Sequence, residues 1–212
     1  MTILTPSVPR VLADVIPAPS SRARGLATDA ALVVAGVVAV ALLAKVSFFI
    51  GPVPISGQTL GVILVGAALG AKRGALSLTS YMLAGLAGIP VFAGAVAGPA
   101  YVLMPSFGFV LGFIPAAYLA GWLAERAWDR KPLLAMIGFV GASVVPFLIG
   151  VPYMAMILST VMGMEVTFAS VMAAGVLPFI PGGLVKAAIA AFLIPAAWAM
   201  VRRIDARKPD AR

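Results

Sequence analysis

The sequence predicts an all-α membrane protein of six transmembrane helices, with both termini cytoplasmic and a loop-capped ligand pocket facing outward. Three observations predict it. The 212 residues are 62% hydrophobic and only 10% charged, with a mean hydropathy of +1.11, values typical of polytopic membrane chains. Residues 74–124 contain no Asp, Glu, Lys or Arg, which a bilayer explains and a soluble domain does not. Thirteen of the fifteen basic residues fall in short clusters: Arg10, Arg22 and Arg24; Lys72 and Arg73; Arg126, Arg130 and Lys131; then Arg202, Arg203, Arg207, Lys208 and Arg212.

The net charge of +8 would suggest a nucleic-acid partner in a soluble protein. With the cations at span ends, anchoring on the cytoplasmic face of the lipid bilayer is the better account, and no nucleic acid is expected. The chain has no cysteine and no histidine, which removes disulfides, thiolate metal sites, and the usual metal ligand and general base. Neither a metal nor a cofactor is expected. Asp14, Asp29, Glu125, Asp129, Asp205 and Asp210 lie in tails or beside cations, so intramembrane acid chemistry is not expected either.

Residues 1–28 hold four prolines and three arginines and read as a flexible cytoplasmic tail without a signal-peptide core. Thr28 and Asp29 offer a cap for a first helix over 30–49, opening a six-helix membrane domain over 29–203. Gly51, Pro52 and Pro54 end that helix. The second apolar run, 58–70, would reach only ~20 Å as a helix against a ~30 Å hydrocarbon core, so it must borrow from the preceding loop. The third helix is expected from after Gly74 to about Gly88, and the fourth from Phe107 to Arg126. The fifth, over 133–158, carries Pro146 and Pro152 and should kink or unwind there unless neighbours satisfy the freed carbonyls. A short helix of about three turns and a Pro-rich re-entry precede the sixth, over 184–201. Residues 204–212 form a basic cytoplasmic tail. Six spans return both termini to one side. Placing that side in the cytoplasm puts every basic cluster inside and leaves loops 50–57, 89–106 and 159–182, which lack Lys and Arg, outside.

Those outward loops are the candidate site. Residues 89–106 are apolar, small and aromatic, a composition tolerated at this depth where backbone lines a cavity. They read as a lid whose packing surfaces are Phe92 and Tyr101, with Pro54, Gln58 and Thr59 adding polar contacts from another side. Two lysines stand apart in apolar sequence. Lys186 sits about one turn inside the sixth span with only Glu165 as a carboxylate in the nearby loops, which suits an anionic ligand. Lys45, near the outer end of the first span, reads as a snorkelling side chain. Ala31, Ala35 and Ala39 form a small-xxx-small stripe for close helix approach, and Gly66 and Gly70 repeat it weakly.

Four segments, PVPISGQTL, GAALGAKRGALSLTSYMLAGLAGIPVFAGAVAGP, SFGFVLGFIPAAYLAGWLAER and GVLPFIPGGLVKAAIAAFL, occur in one order. Together, over residues 30–193, the chain resembles the BioY family, the biotin-binding S components of energy-coupling factor (ECF) transporters. The resemblance implies a non-enzymatic protein of the cell membrane that captures biotin from outside. It also implies an ECF transmembrane coupling subunit and two ATPase subunits as partners, since the chain has no Walker A sequence. The family's Ala-xxx-Ala stripe, which contacts the coupling subunit, maps onto Ala31, Ala35 and Ala39. Its Pro-Gly-Asp-x-x-Lys motif maps onto Pro181, Gly182 and Lys186, with Gly183 in place of the acidic acceptor. Met104-Pro105-Ser106 replaces a Gly-Pro-Thr-like stretch. Either the ureido ring is then held by other groups, such as Gln58 or Tyr153, or binding is weakened. Two further readings are an S component for another small vitamin and, from a different class, an intramembrane enzyme using a Ser106 or Ser143 dyad with Lys186.

Overall fold

The computed structural model describes residues 10–16, 21–49, 51–94 and 96–206. The chain is predominantly helical. In order it forms a 3₁₀ turn Leu12–Val15, α1 (Arg22–Lys45), strands β1 (Ser47–Phe49) and β2 (Pro54–Ser56), α2 (Gln58–Leu69) and α3 (Ala71–Leu86). A 3₁₀ turn Pro99–Leu103, α4 (Phe107–Ala124), a 3₁₀ turn Trp128–Arg130, α5 (Pro132–Thr160), α6 (Phe168–Gly175) and α7 (Phe179–Asp205) complete it.

Among the described residues, four stretches are long and apolar enough to cross a membrane: Arg22–Lys45, Phe107–Ala124, Pro132–Thr160 and Phe168–Ile204. The helix α2, with 12 residues, spans only ~18 Å, so the shortness of the second run is real. α4 is the centre of the bundle, packed on α2, α3 and α5, while α7 packs on α5 and α2, and α1 on α3 and α2. Two-thirds of the apolar window of α4 (67%) is buried against only 17% of that of α1. α1 is therefore a peripheral helix with most of its surface unclaimed by the rest of the chain.

Several expectations are corrected. α1 begins seven residues earlier than Asp29, because the Ser21 side chain accepts from the Arg24 amide and caps it. Part of the expected flexible tail packs as well: Val11 and Ala13 are buried in a cluster with Ile63, Ala67 and Trp198. Residues 47–49 leave the helix and pair antiparallel with β2, Phe48 opposite Ile55, so the chain is not wholly α. α3 starts at Ala71, ahead of the basic pair instead of after it. Pro146 and Pro152 lie within one continuous 29-residue α5. The Pro181–Gly183 stretch is not a break but the first turns of α7, where a missing proline N–H costs no helical bond.

Close helix approach depends on small residues, though only partly on those singled out. A Cβ on Gly36 of α1 would fall 2.6 Å from Ser77 Oγ of α3, and one on Gly74 of α3 would fall 2.9 Å from Gly66 Cα of α2. Gly66 is thus a true crossing point. Gly70 serves differently: with φ +89° it forms the tight corner between α2 and α3. Ala31 and Ala35 are exposed and face away from the bundle core, while Ala39 is half-buried and packs against it.

Candidate functional site

Arg73, Asp14, Asp29, Glu125, Asp129 and Arg130 gather at one end of the bundle. Arg73 Nη1 and Nε reach Asp14 (3.1 Å) and Asp29 (2.8 Å). Glu125 Oε1 accepts from the Ala71 amide at 2.8 Å and caps α3. Asp129, only 1% exposed, accepts from Trp198 Nε1 at 2.7 Å, with the Arg130 guanidinium 4.3 Å from that indole ring. Burial pushes the Asp129 carboxyl up to about 6, opposed by the Trp198 hydrogen bond and by Arg130.

At the opposite end the helix starts converge on a cavity of about 40 Å³, room for roughly three waters. Gln58 and Thr59 come from the first turn of α2, Ser106 and Phe109 from the start of α4, Phe179 from the start of α7 and Phe147 from the middle of α5. Three helix starts therefore border one space with their partial positive charge, while several of their first amides are already bonded, Gln58 to Ser56 Oγ, Phe107 to the Met104 carbonyl, and Phe179 and Ile180 to the Val176 and Leu177 carbonyls. The β-hairpin supplies a further wall through Val53, Pro54 and Ser56.

Lys186 lies one face of α7 along from Phe179 and is half-buried at this cavity. Its Nζ donates to the Ser56 carbonyl at 2.5 Å and to Thr59 Oγ1 at 3.2 Å. Among the described residues it has no carboxylate within 4 Å; the two ion pairs there both belong to Arg73. Glu165 is exposed on the segment before α6. An ammonium satisfied only by neutral oxygens retains most of its attraction for an anion.

Gln58 is buried and held in a chain of hydrogen bonds. Its Oε1 accepts from Ser56 Oγ at 2.7 Å, its Nε2 donates to Tyr81 Oη at 2.7 Å, and Tyr81 donates to the Val91 carbonyl at 3.0 Å. One amide hydrogen of Gln58 is left for a ligand. Tyr101, 3% exposed, accepts from Ser106 Oγ at 3.0 Å, which leaves its own phenolic proton to donate. Burial raises the Tyr101 hydroxyl pKa, and Ser106 opposes this, so it stays a neutral donor. Its ring stacks on Phe92 at 4.1 Å and 24°.

Of the six expected substrate contacts, four line the cavity together: Lys186, Gln58, Thr59 and Tyr101. Phe92 does not. It stands behind Tyr101, wedged edge-on against Tyr81, and supports the wall instead of forming it. Tyr153 is also elsewhere: its hydroxyl donates to the Val102 carbonyl and its ring packs on Phe107, tying α5 to the Pro99–Leu103 turn. Gly183 lies outside this cavity too, in an adjoining apolar groove of about 300 Å³ that shares Phe147 and Phe179 as a partition. Ser106 shares the cavity with Lys186 but is bonded to Tyr101, and Ser143 is bonded to the Phe139 carbonyl, so no Ser–Lys dyad is formed.

Sequence reasoning missed Ser56, Tyr81 and the phenylalanine walls, and weighed Ser106 only as a partner of Lys186 and not of Tyr101. Tyr81 carried a signal: a phenol in the middle of an otherwise apolar run needs a partner. Lys45 was misread. Its Nζ donates to the Pro90 carbonyl at 2.6 Å and the Phe92 carbonyl at 3.1 Å, so it binds backbone of the 89–106 segment and does not simply reach for solvent.

The sequence profile of the BioY family matches residues 16–203. A biotin transporter BioY of Rhizobium etli is 38% identical over 170 residues, covering 77% of this chain and 87% of that protein. A probable biotin transporter BioY of Pyrococcus horikoshii is 36% identical over 167 residues, covering 79% of this chain and 94% of that protein. The crystal structure of an S-component for biotin from an ECF-type ABC transporter superposes with a TM-score of 0.58 at 21% identity, covering 84% of this chain and 94% of that one. That structure shares the fold of this multi-helical membrane protein. With a family profile spanning most of its length and two such relatives, the chain belongs to the BioY family.

Proposed function

We propose that this chain is the integral membrane component that captures biotin at the outer face of the cell membrane and delivers it inward with an ECF module. The observation that carries the reading is Lys186: a half-buried ammonium bonded only to neutral oxygens, at a cavity faced by three helix N-termini. The polar groups match a ligand with a carboxylate at one end and a neutral polar ring at the other, and the cavity of about 40 Å³ must widen to admit it. The carboxylate would pair with Lys186. The ureido group, which both donates and accepts, would take the free amide hydrogen of Gln58 and the Tyr101 phenol, with Phe109, Phe113 and Phe147 around the bicyclic ring.

In this reading α1, α2, α3, α4, α5 and α7 are six spans, with both termini cytoplasmic and α6 outside. The tails 1–28 and 204–212 lie on the cytoplasmic side, and Arg207, Lys208 and Arg212 fall outside the described residues. Support comes from charge: Arg73, Glu125, Asp129 and Arg130 share one end and the cavity the other. The exposed Ala31 and Ala35 would meet the transmembrane coupling subunit, and ATPase subunits would supply the energy. A transport family and a site without a nucleophile–base pair assign no enzymatic step.

The test is equilibrium binding of labelled biotin to the purified chain, with a panel of other small vitamins as competitors. Saturable one-site binding displaced by free biotin alone is expected. Displacement by a different vitamin would favour an S component of other specificity, and no binding at all would overturn the reading.

A further inference from the structure

The segment behind the cavity wall is held by three consecutive carbonyls. Those of Pro90 and Phe92 accept from Lys45 at the last position of α1, and that of Val91 accepts from Tyr81, which is in turn bonded to Gln58. The Phe92 ring stacks on Tyr101, a lining residue of the cavity. The two anchors come from different helices, α1 and α3, and among the described residues no other hydrogen bond of residues 90–92 reaches α1.

We propose that Lys45 is the latch of the lid: a positioning residue that holds residues 90–92 down, keeps Phe92 against Tyr101 and so closes the cavity. Tyr81 is the anchor that senses the site, through Gln58. Lys45 is the anchor that senses α1. Two charge-assisted bonds to backbone carbonyls are strong enough to hold a loop yet break with a small shift of the helix end, because hydrogen bonds weaken steeply with distance and angle. The cation also sits at the C-terminus of α1, where the helix dipole favours it. α1 is the least buried candidate span and exposes Ala31 and Ala35, so a displacement of α1 from outside the bundle would reach residues 90–92 through the Lys45 hydrogen bonds.

The latch rests on the proposed biotin site for its function but is tested without ligand. The chain has no cysteine, so Ala93→Cys, at a position only 5% exposed beside the anchored carbonyls, gives a single thiol reporter. Its maleimide labelling rate would be measured in the intact chain in lipid nanodiscs. Lys45→Met is expected to raise that rate tenfold or more, and Lys45→Arg, which keeps the charge and donors, to stay within threefold of the parent. Ala187→Cys, in the fully buried α7 core, is expected to be unaffected and reports general loosening; Lys45→Gln serves where Lys45→Met does not fold. Unchanged labelling at 93, or an equal rise at 187, would overturn the latch. Biotin dissociation should also quicken about tenfold in Lys45→Met, with its association rate little changed. If the parent chain binds no biotin, the functional reading fails while the labelling result still decides the latch.

Discussion

The two ends of the bundle treat charge in opposite ways. At one end, cations meet acids or aromatic faces: Arg73 bridges Asp14 and Asp29, and Arg126 lies 3.6 Å over Trp122. At the other, Lys45 and Lys186 meet only neutral oxygens, mostly backbone carbonyls. The first arrangement neutralises charge and fixes structure. The second leaves positive potential around a cavity, which is what a site for a carboxylate requires. Between them runs α1, touching the lid at its last residue and exposing Ala31 and Ala35 to the surroundings.

The largest expected effect lies on that connecting helix. Ala35→Trp, alone or with Ala39→Trp, should abolish co-purification with the coupling subunit, since a bulky side chain on an exposed small-residue stripe blocks close helix approach. Biotin affinity of the isolated chain should stay within about threefold. Loss of both would mean that the stripe packs inside the bundle, against the exposure of Ala31 and Ala35.

The charged end offers the next test. Asp129 titrates at about 6, above its ordinary 3.8, so the folded state holds the proton more tightly than the unfolded one. Stability is then fully favoured below about pH 4 and lost as pH rises through 6, by roughly 3 kcal/mol from this one group. Asp129→Asn, which keeps an acceptor for Trp198, should remove that component from the pH profile of Tm. A Tm difference between the two proteins that grows in the parent's favour from pH 4 to 6.5 would instead show an ionised Asp129 paired with Arg130.

At the pocket end, Lys186→Met should weaken biotin binding about tenfold or more, as a desolvated charge-assisted pair contributes roughly 1.5–3 kcal/mol. A biotin ester should lose far less affinity. Equal losses for acid and ester, measured by competition, would make Lys186 a purely structural tie between α7 and Ser56, and the contrast between the two ends would collapse.

The smallest effect is expected at Gly183. A side chain there meets open space, and Gly183 lines the groove beyond Phe147 and Phe179, not the cavity. An aspartate would form only an i,i+3 pair with Lys186, about 0.2–0.5 kcal/mol. Gly183→Asp should therefore shift biotin affinity less than about threefold. A tenfold gain would show that groove and cavity act as one site and that the acidic acceptor of the family motif was the missing contact.

Much of this was legible before any coordinates. The uncharged run 74–124, the clustered cations and the lone Lys186 all report the solvent a segment must sit in, which each residue declares by itself. Gln58, Thr59 and Tyr101 were legible as polar groups in apolar surroundings. Phe92 and Tyr153 were chosen for the right chemistry and the wrong place. An aromatic ring in a loop can line a cavity or stand behind its lining, and only packing separates the two. Ser56 looked like an ordinary loop residue, and Ser106 was weighed only beside Lys186, because their partners, Gln58 and Tyr101, depend on how the hairpin and the Pro99–Leu103 turn fold back.

The sequence by itself determined the apolar, mostly helical character of the chain and where its charges cluster, because hydrophobic burial and charge solvation are properties of single residues summed along a segment. Tertiary structure decided which residues meet. That the Lys186 ammonium finds a carbonyl 130 positions away, that Lys45 grips a loop 45 residues on, and that Phe92 supports Tyr101 follow from directional contacts of a few ångströms, which no local pattern encodes.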